Sequence, residues 1–122
     1  MKTVAVVGAS PRRHKYGNKA VRAFARQGFV VVPIHPTEGV IEGHRAYRSL
    51  RDVPGPIDMA TFYVPPAVGV GLMEDVAAKG IGEVWLNPGS ESDEVVTRAR
   101  ALGIEPILAC SILGIGESPS AY

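Results

Sequence analysis

With 122 residues the chain holds one hydrophobic core and excludes two, since domains usually run to roughly 100–150 residues. Hydrophobic residues make up 46% and charged residues 20%, a balance that excludes a disordered chain, and no apolar run approaches the ~18 residues of a membrane span. The net charge of +1 hides an asymmetry: residues 1–51 carry ten Lys/Arg against Glu38 and Glu42, and residues 52–122 carry Lys79, Arg98 and Arg100 against ten acids. An anionic partner is therefore expected on the N-terminal half, with Arg45, Arg48 and Arg51 set aside as a solvated helix face.

In chain order, the first Val-rich run, Thr3–Val7, reads as a strand. Residues 18–27 follow as a helix with Ala20, Val21, Phe24 and Ala25 on one face, closed by Gly28. Phe29–Ile34 is the second strand, and Thr37–Pro56 is irregular, with at most a short turn or helix around Ala46–Leu50. Met59–Val64 is the third strand and Val68–Lys79 the second helix, its apolar face formed by Val68, Leu72, Met73 and Val76. After the fourth strand, Glu83–Leu86, the run Ser90-Glu91-Ser92-Asp93 resembles a capping box. The third helix has Val95, Val96, Ala99 and Leu102 as its buried face and a Glu94–Arg98 pair at i,i+4. Ile104–Ala109 is the fifth strand, and the Gly-, Ser- and Pro-rich tail 114–122 is expected to be loosely held.

The strands are nearly continuous in apolar residues rather than alternating, as strands covered on both faces are. This predicts an α/β, Rossmann-like, doubly wound fold: a mostly parallel five-stranded sheet with helices on both faces, residues 1–122 forming a single domain. Ligands of such sheets bind beyond the carboxyl ends of the strands, near the reversal of strand order.

After the first strand comes Gly8-Ala9-Ser10-Pro11-Arg12-Arg13-His14-Lys15-Tyr16-Gly17-Asn18. Gly8 permits a tight turn, Ser10 offers a hydroxyl and an N–H, and Arg12, Arg13 and Lys15 add charge. Beside Tyr16, the helix start at Gly17-Asn18 supplies unpaired N–H groups, so the loop is built for a polyphosphate. It is not G-x-G-x-x-G, because Ser10 and Arg13 occupy glycine positions, and it is not a P-loop. The second strand ends Ile34-His35-Pro36 with no acid for a ribose diol, which disfavours NAD and suits a nucleotide bearing an extra ribose phosphate, as NADP and coenzyme A do. After the third strand, Tyr63-Val64-Pro65-Pro66 presents carbonyls and flat apolar surface suited to an adenine ring or a pantetheine arm. Asn87-Pro88-Gly89-Ser90 forms a further tight turn.

The series Val4–Pro11, Tyr16-Gly17, Gly28 and Val31–Pro36 resembles the CoA-binding domain family, which includes small stand-alone proteins and the nucleotide-binding domain of the succinyl-CoA synthetase α subunit. The likeness continues through Gly43, Tyr47, Ser49-Leu50, Ile57-Asp58, Val64-Pro65, Gly80 and Val84–Leu86. It implies that Gly8, Ala9, Ser10, Arg12 and the turn before Gly17 hold phosphates, that His35 and Pro36 lie by the adenosine, and that Tyr63, Val64 and Pro65 flank adenine and pantetheine. The chain departs from the family pattern at His35, where Asn is common in the small proteins, and at Glu38, near a Lys of the synthetases. Asn87-Pro88 stands for a Gln-containing turn, and no charged pair precedes Cys110.

The function this predicts is non-catalytic binding of coenzyme A or a short acyl-CoA, because the chemistry of the synthetases resides in a further domain and a partner subunit. The alternative is an NADP-type redox protein or sensor. Nucleic acid is disfavoured, since the basic cluster is confined to one loop. Neither catalytic nor metal-ligating residues are expected: His14, His35 and His44 lack ligand spacing, and Cys110 has no His or acid placed by sequence to activate it. With one cysteine and no apolar leader after Met1-Lys2, a cytoplasmic protein is expected, free of any membrane and able to form a homodimer or to meet a protein partner.

Overall fold

The computed structural model describes all residues from Met1 to Tyr122. Along the chain lie β1 (Thr3–Val7), α1 (Tyr16–Arg26), β2 (Val30–Ile34), β3 (Val40–Ile41), β4 (His44–Arg45) and a 3-10 turn at Leu50–Asp52. They are followed by β5 (Met59–Phe62), α2 (Pro66–Ala78), β6 (Glu83–Leu86), α3 (Asp93–Ala101), β7 (Ile107–Leu108), α4 (Ser111–Gly114) and a 3-10 turn at Pro119–Ala121. Five strands form a parallel sheet in the order β2-β1-β5-β6-β7, and β3 pairs antiparallel with β4.

Alternation along β1 divides the interior. Val4 and Val6 face a cluster that includes Ala20, Val21 and Phe24 of α1, Ile41 of the hairpin and Ile112 of α4. Ala5 and Val7 face the other, with Met73 and Val76 of α2 and Val95 and Ala99 of α3. Both faces of the sheet are thus covered, which is why its strands lack a polar alternation. No helix is long and apolar enough to cross a membrane.

Several expected details are corrected. The helix α1 starts at Tyr16, two residues early, and α2 at Pro66, because the fixed φ of proline suits a first helical position. Val68 is half-exposed rather than buried, since α2 meets the sheet through Gly69, Met73 and Val76. The cap of α3 is Ser92, whose hydroxyl accepts the Val95 N–H at 3.2 Å, while Ser90 is buried in the preceding turn. Arg98 pairs with Glu74 across the α2–α3 contact instead of with Glu94. The fifth strand shrinks to two residues because Pro106 cannot donate to a ladder, and the third ends at Phe62.

The irregular segment contains the β3–β4 hairpin, turned by Glu42 and Gly43 at φ 51° and 80°, the paired left-handed conformations that join twisted strands. The tail is tied down rather than loose. The Tyr122 hydroxyl donates to Glu117 at 2.8 Å, its ring lies 5.4 Å from the Arg22 guanidinium, and it packs on the α1-side core.

Candidate functional site

Strand order reverses beside β1: the chain leaves through α1 to β2 on one side and returns through β5 and α2 to β6 on the other. The diverging helices leave a crevice at the carboxyl ends of β1 and β5. Gly8 lies at its floor with φ +88°; a Cβ there would stand 2.6 Å from the Tyr63 carbonyl oxygen and 2.9 Å from Val64 Cγ1. Gly17 closes the other side, since its Cβ would fall 2.1 Å from the Gly8 carbonyl oxygen. The first turn of α1 is therefore seated on the β1–α1 loop with no side chain between. Lys15 precedes it in extended conformation and no side chain caps the helix; the Asn18 N–H donates to the Lys15 carbonyl at 3.0 Å, and the Tyr16 and Gly17 N–H groups are left without a partner at the positive end of the helix dipole, on residues that line the crevice.

Two cavities open from this floor and share Gly8 and Val64. The larger, about 650 Å3, lies among Lys15, Tyr16 and Gly17, the Tyr63–Pro66 turn, the Asn87–Ser90 turn, and Cys110, Leu113 and Pro119. The smaller, about 230 Å3, is walled by Ile34, Leu50, Val64, Val68 and Leu72, with His35, Pro36, Arg48 and Ser49 alongside.

Of the residues singled out in the sequence, Gly8, Lys15, Tyr16, Gly17, Tyr63, Val64 and Pro65 line the larger cavity, and His35 and Pro36 line the smaller. Ala9 is buried. Ser10, Arg12, Arg13 and Asn18 line neither cavity. The Ser10 hydroxyl accepts the Arg12 N–H at 3.1 Å, and Arg13 pairs with Glu42 at 3.2 Å. Asn18 is fully buried: its Nδ2 donates to the Ser10 carbonyl at 2.8 Å and to Glu42 at 3.1 Å, and its Oδ1 accepts from Arg22 at 2.7 Å. This set fixes the shape of the loop rather than its lining. Leu113, Pro119 and Arg48 line the cavities without having been expected to, and Arg48 in particular is not part of a helix face.

The His35 Nδ1 accepts the N–H groups of Thr37 at 3.0 Å and Glu38 at 2.9 Å, which places the proton of the neutral ring on Nε2. Across the crevice a buried polar network holds the far wall. Asn87 Nδ2 donates to Thr61 Oγ1 at 2.7 Å and to the Phe62 carbonyl at 2.8 Å, and Asn87 Oδ1 accepts the Ser111 N–H at 2.8 Å. The Ser111 hydroxyl lies 2.7 Å from Thr61 Oγ1 and 3.1 Å from the Tyr63 hydroxyl. No cluster of three or more His, Cys, Asp or Glu side chains is placed to hold a metal ion.

Burial pushes the Tyr63 hydroxyl up to about 12, against hydrogen bonds that favour its ionised form. An unfolded tyrosine ionises near ~10, so above that pH the unfolded chain loses this proton first. Stability is expected to fall from pH 10 towards 12, by roughly 1 kcal/mol per pH unit from this group. Urea midpoints at pH 9 and pH 11 should therefore drop more in the wild type than in Tyr63→Phe; equal drops would show that the hydroxyl is not desolvated.

Residues 2–115 match the family described as CoA binding domain. The chain is 36% identical over 97 residues to the ADP-forming acetate–CoA ligase II of Archaeoglobus fulgidus, an alignment covering 76% of this chain and 14% of the ligase. It is similar in structure to a conserved hypothetical protein from Pyrococcus furiosus, with 34% identity and a TM-score of 0.86 over 93% of this chain and 99% of that one. It is also similar to the dinucleotide-forming acetyl-coenzyme A synthetase 1 of Ca. Korarchaeum cryptofilum, with 30% identity and a TM-score of 0.78 over 88% of this chain and 25% of the synthetase. The chain thus spans a small part of the ligase and synthetase it matches. With the match running over nearly its full length and onto the strands that carry the glycine crevice, the chain belongs to the CoA binding domain family.

Proposed function

We propose that residues 1–122 act as one domain that holds coenzyme A or a short acyl-CoA without transforming it. The observation that carries this reading is the meeting of two unequal cavities at Gly8, beside the open N-terminus of α1. A nucleoside joined by a diphosphate to a long, mostly apolar arm needs those three parts in that order. The smaller cavity has the apolar walls and the size for an adenosine. The α1 N–H groups and Lys15 meet the diphosphate. In the larger cavity, Tyr63, Pro65, Pro66 and Pro88 provide flat apolar surface for pantetheine, and Cys110, Leu113 and Pro119 complete the wall. When bound, coenzyme A supplies a thiol that carries acyl groups.

The Cys110 thiol lines the larger cavity and makes no hydrogen bond to a histidine or a carboxylate. Calorimetric titration of ligand-free protein with coenzyme A, NAD and NADP tests the reading. Coenzyme A is expected to bind at least ~10-fold more tightly than either dinucleotide. Binding of NADP with none of coenzyme A would overturn it and make the site that of a redox nucleotide.

A further inference from the structure

The cations near the crevice are mostly engaged. Arg13 pairs with Glu42, Arg22 donates to Asn18 and to the Arg13 carbonyl, and Arg51 is held by Asp75. Lys19 lies over the Tyr16 ring and Arg45 over the Tyr47 ring, at 5.3 and 5.1 Å. Arg48 differs: it lines the smaller cavity, is exposed, and forms neither an ion pair nor a hydrogen bond. Its place is nevertheless fixed through its neighbour. The Tyr47 N–H donates to the Pro33 carbonyl at 3.0 Å, and the Tyr47 carbonyl accepts the His35 N–H at 2.9 Å, in a parallel bridge to Ile34. This clamp sets residues 48 and 49 against the end of β2. Ser49 lines the same cavity and its hydroxyl caps no helix. The acid closest in the chain to the end of β2, Glu38, lines neither cavity.

A free guanidinium at the rim of an apolar, nucleoside-sized pocket, with a hydroxyl and a histidine beside it, is built for a phosphate monoester on the sugar of the nucleoside it holds. From this we infer that Arg48 recognises the ribose 3′-phosphate of coenzyme A and so determines the choice between coenzyme A and its dephosphorylated form. This inference rests on the coenzyme A reading. It gives the basic N-terminal half two separate anion-binding points, one at Lys15 for the diphosphate and one at Arg48 for the monoester.

The test is titration of wild-type protein, Arg48→Gln and Arg45→Gln with coenzyme A and with dephospho-CoA. The wild type is expected to bind coenzyme A about tenfold or more tightly than dephospho-CoA. In Arg48→Gln that preference should fall to within about twofold, through loss of coenzyme A affinity with dephospho-CoA affinity unchanged, while Arg45→Gln keeps the wild-type ratio. If Arg48→Gln still prefers coenzyme A as the wild type does, or if the wild type binds both ligands equally, the assignment of Arg48 is overturned and the coenzyme A reading stands. Binding of neither ligand by the wild type overturns that reading, and the inference with it.

Discussion

Gly17→Ala is expected to destabilise the fold by about 3 kcal/mol and to weaken coenzyme A binding by ~100-fold or more, although the same change inside a helix ordinarily stabilises by up to ~1 kcal/mol. The reversal of sign comes from one contact. The new methyl would lie 2.1 Å from the Gly8 carbonyl oxygen, 3.0 Å from its carbon and 3.2 Å from Ala9 Cα. These are backbone atoms of Gly8 and Ala9, at the point where the loop is packed against the Tyr63–Val64 turn, and none can rotate aside. Either α1 slides off its seat or the β1–α1 loop moves, and both displace the N–H groups proposed to hold the diphosphate. Gly71→Ala on α2 is the control: nothing lies within 4 Å of its Cβ, so the ordinary gain of up to ~1 kcal/mol is expected with binding unchanged. Urea unfolding and coenzyme A titration of both variants decide the matter. A Gly17→Ala protein as stable as the wild type would show that α1 does not rest on Gly8.

What was legible in the sequence is what local physics dictates. The runs Thr3–Val7 and Glu83–Leu86 form strands within the limits their apolar pattern predicts, because a short Val- or Leu-bearing segment bounded by turns has few other ways to be buried. The parallel, doubly wound sheet follows from such strands alternating with amphipathic helices, and the crevice position follows from the sheet. Gly8, Lys15 and Gly17, picked out of the glycine loop in the sequence, line the larger cavity. The wiring of that loop was not legible, since Asn18 and Arg13 are held by Glu42, 24 and 29 residues away, on a hairpin of two-residue strands too short to show alternation. Glu at a left-handed turn position also lacks the Asn or Asp that marks such a turn. Arg48 was hidden for a related reason. A helix through Ala46–Leu50 places it on a solvated face, whereas the bridge from Tyr47 to Ile34 runs the chain extended beside β2 and brings Arg48 to the cavity. Composition likewise misjudged the tail, where one aromatic ring at Tyr122 reaches the core and outweighs its Gly and Ser neighbours.

Asn87→Ala is expected to cost ~3 kcal/mol and to lower Tm by about 10 °C. Asn87 is buried, and its amide satisfies the Phe62 carbonyl and the Ser111 N–H while orienting the Thr61 hydroxyl. Alanine leaves that carbonyl and that N–H without partners in a place too enclosed for free hydration, and unmade bonds of this kind cost more than made ones contribute. The damage should also reach the cavity. Ser111 begins α4, which carries Leu113 to the wall, and the Tyr63 hydroxyl lies against the Ser111 hydroxyl. Loosening Ser111 therefore frees the C-terminal wall and the Tyr63 ring together, and coenzyme A affinity should fall by ~10-fold even where the variant remains folded. Asn87→Asp separates the two halves of this argument. The carboxylate keeps the acceptor for the Ser111 N–H but cannot donate to the Phe62 carbonyl, and its charge is desolvated. Its folded pKa should be raised above the unfolded value, so the variant should gain stability relative to wild type as pH is lowered from 8 to 5. A pH-independent gap between Asn87→Asp and the wild type would mean that the position is hydrated, and that Asn87 is a surface turn residue rather than the post between β5, β6 and α4.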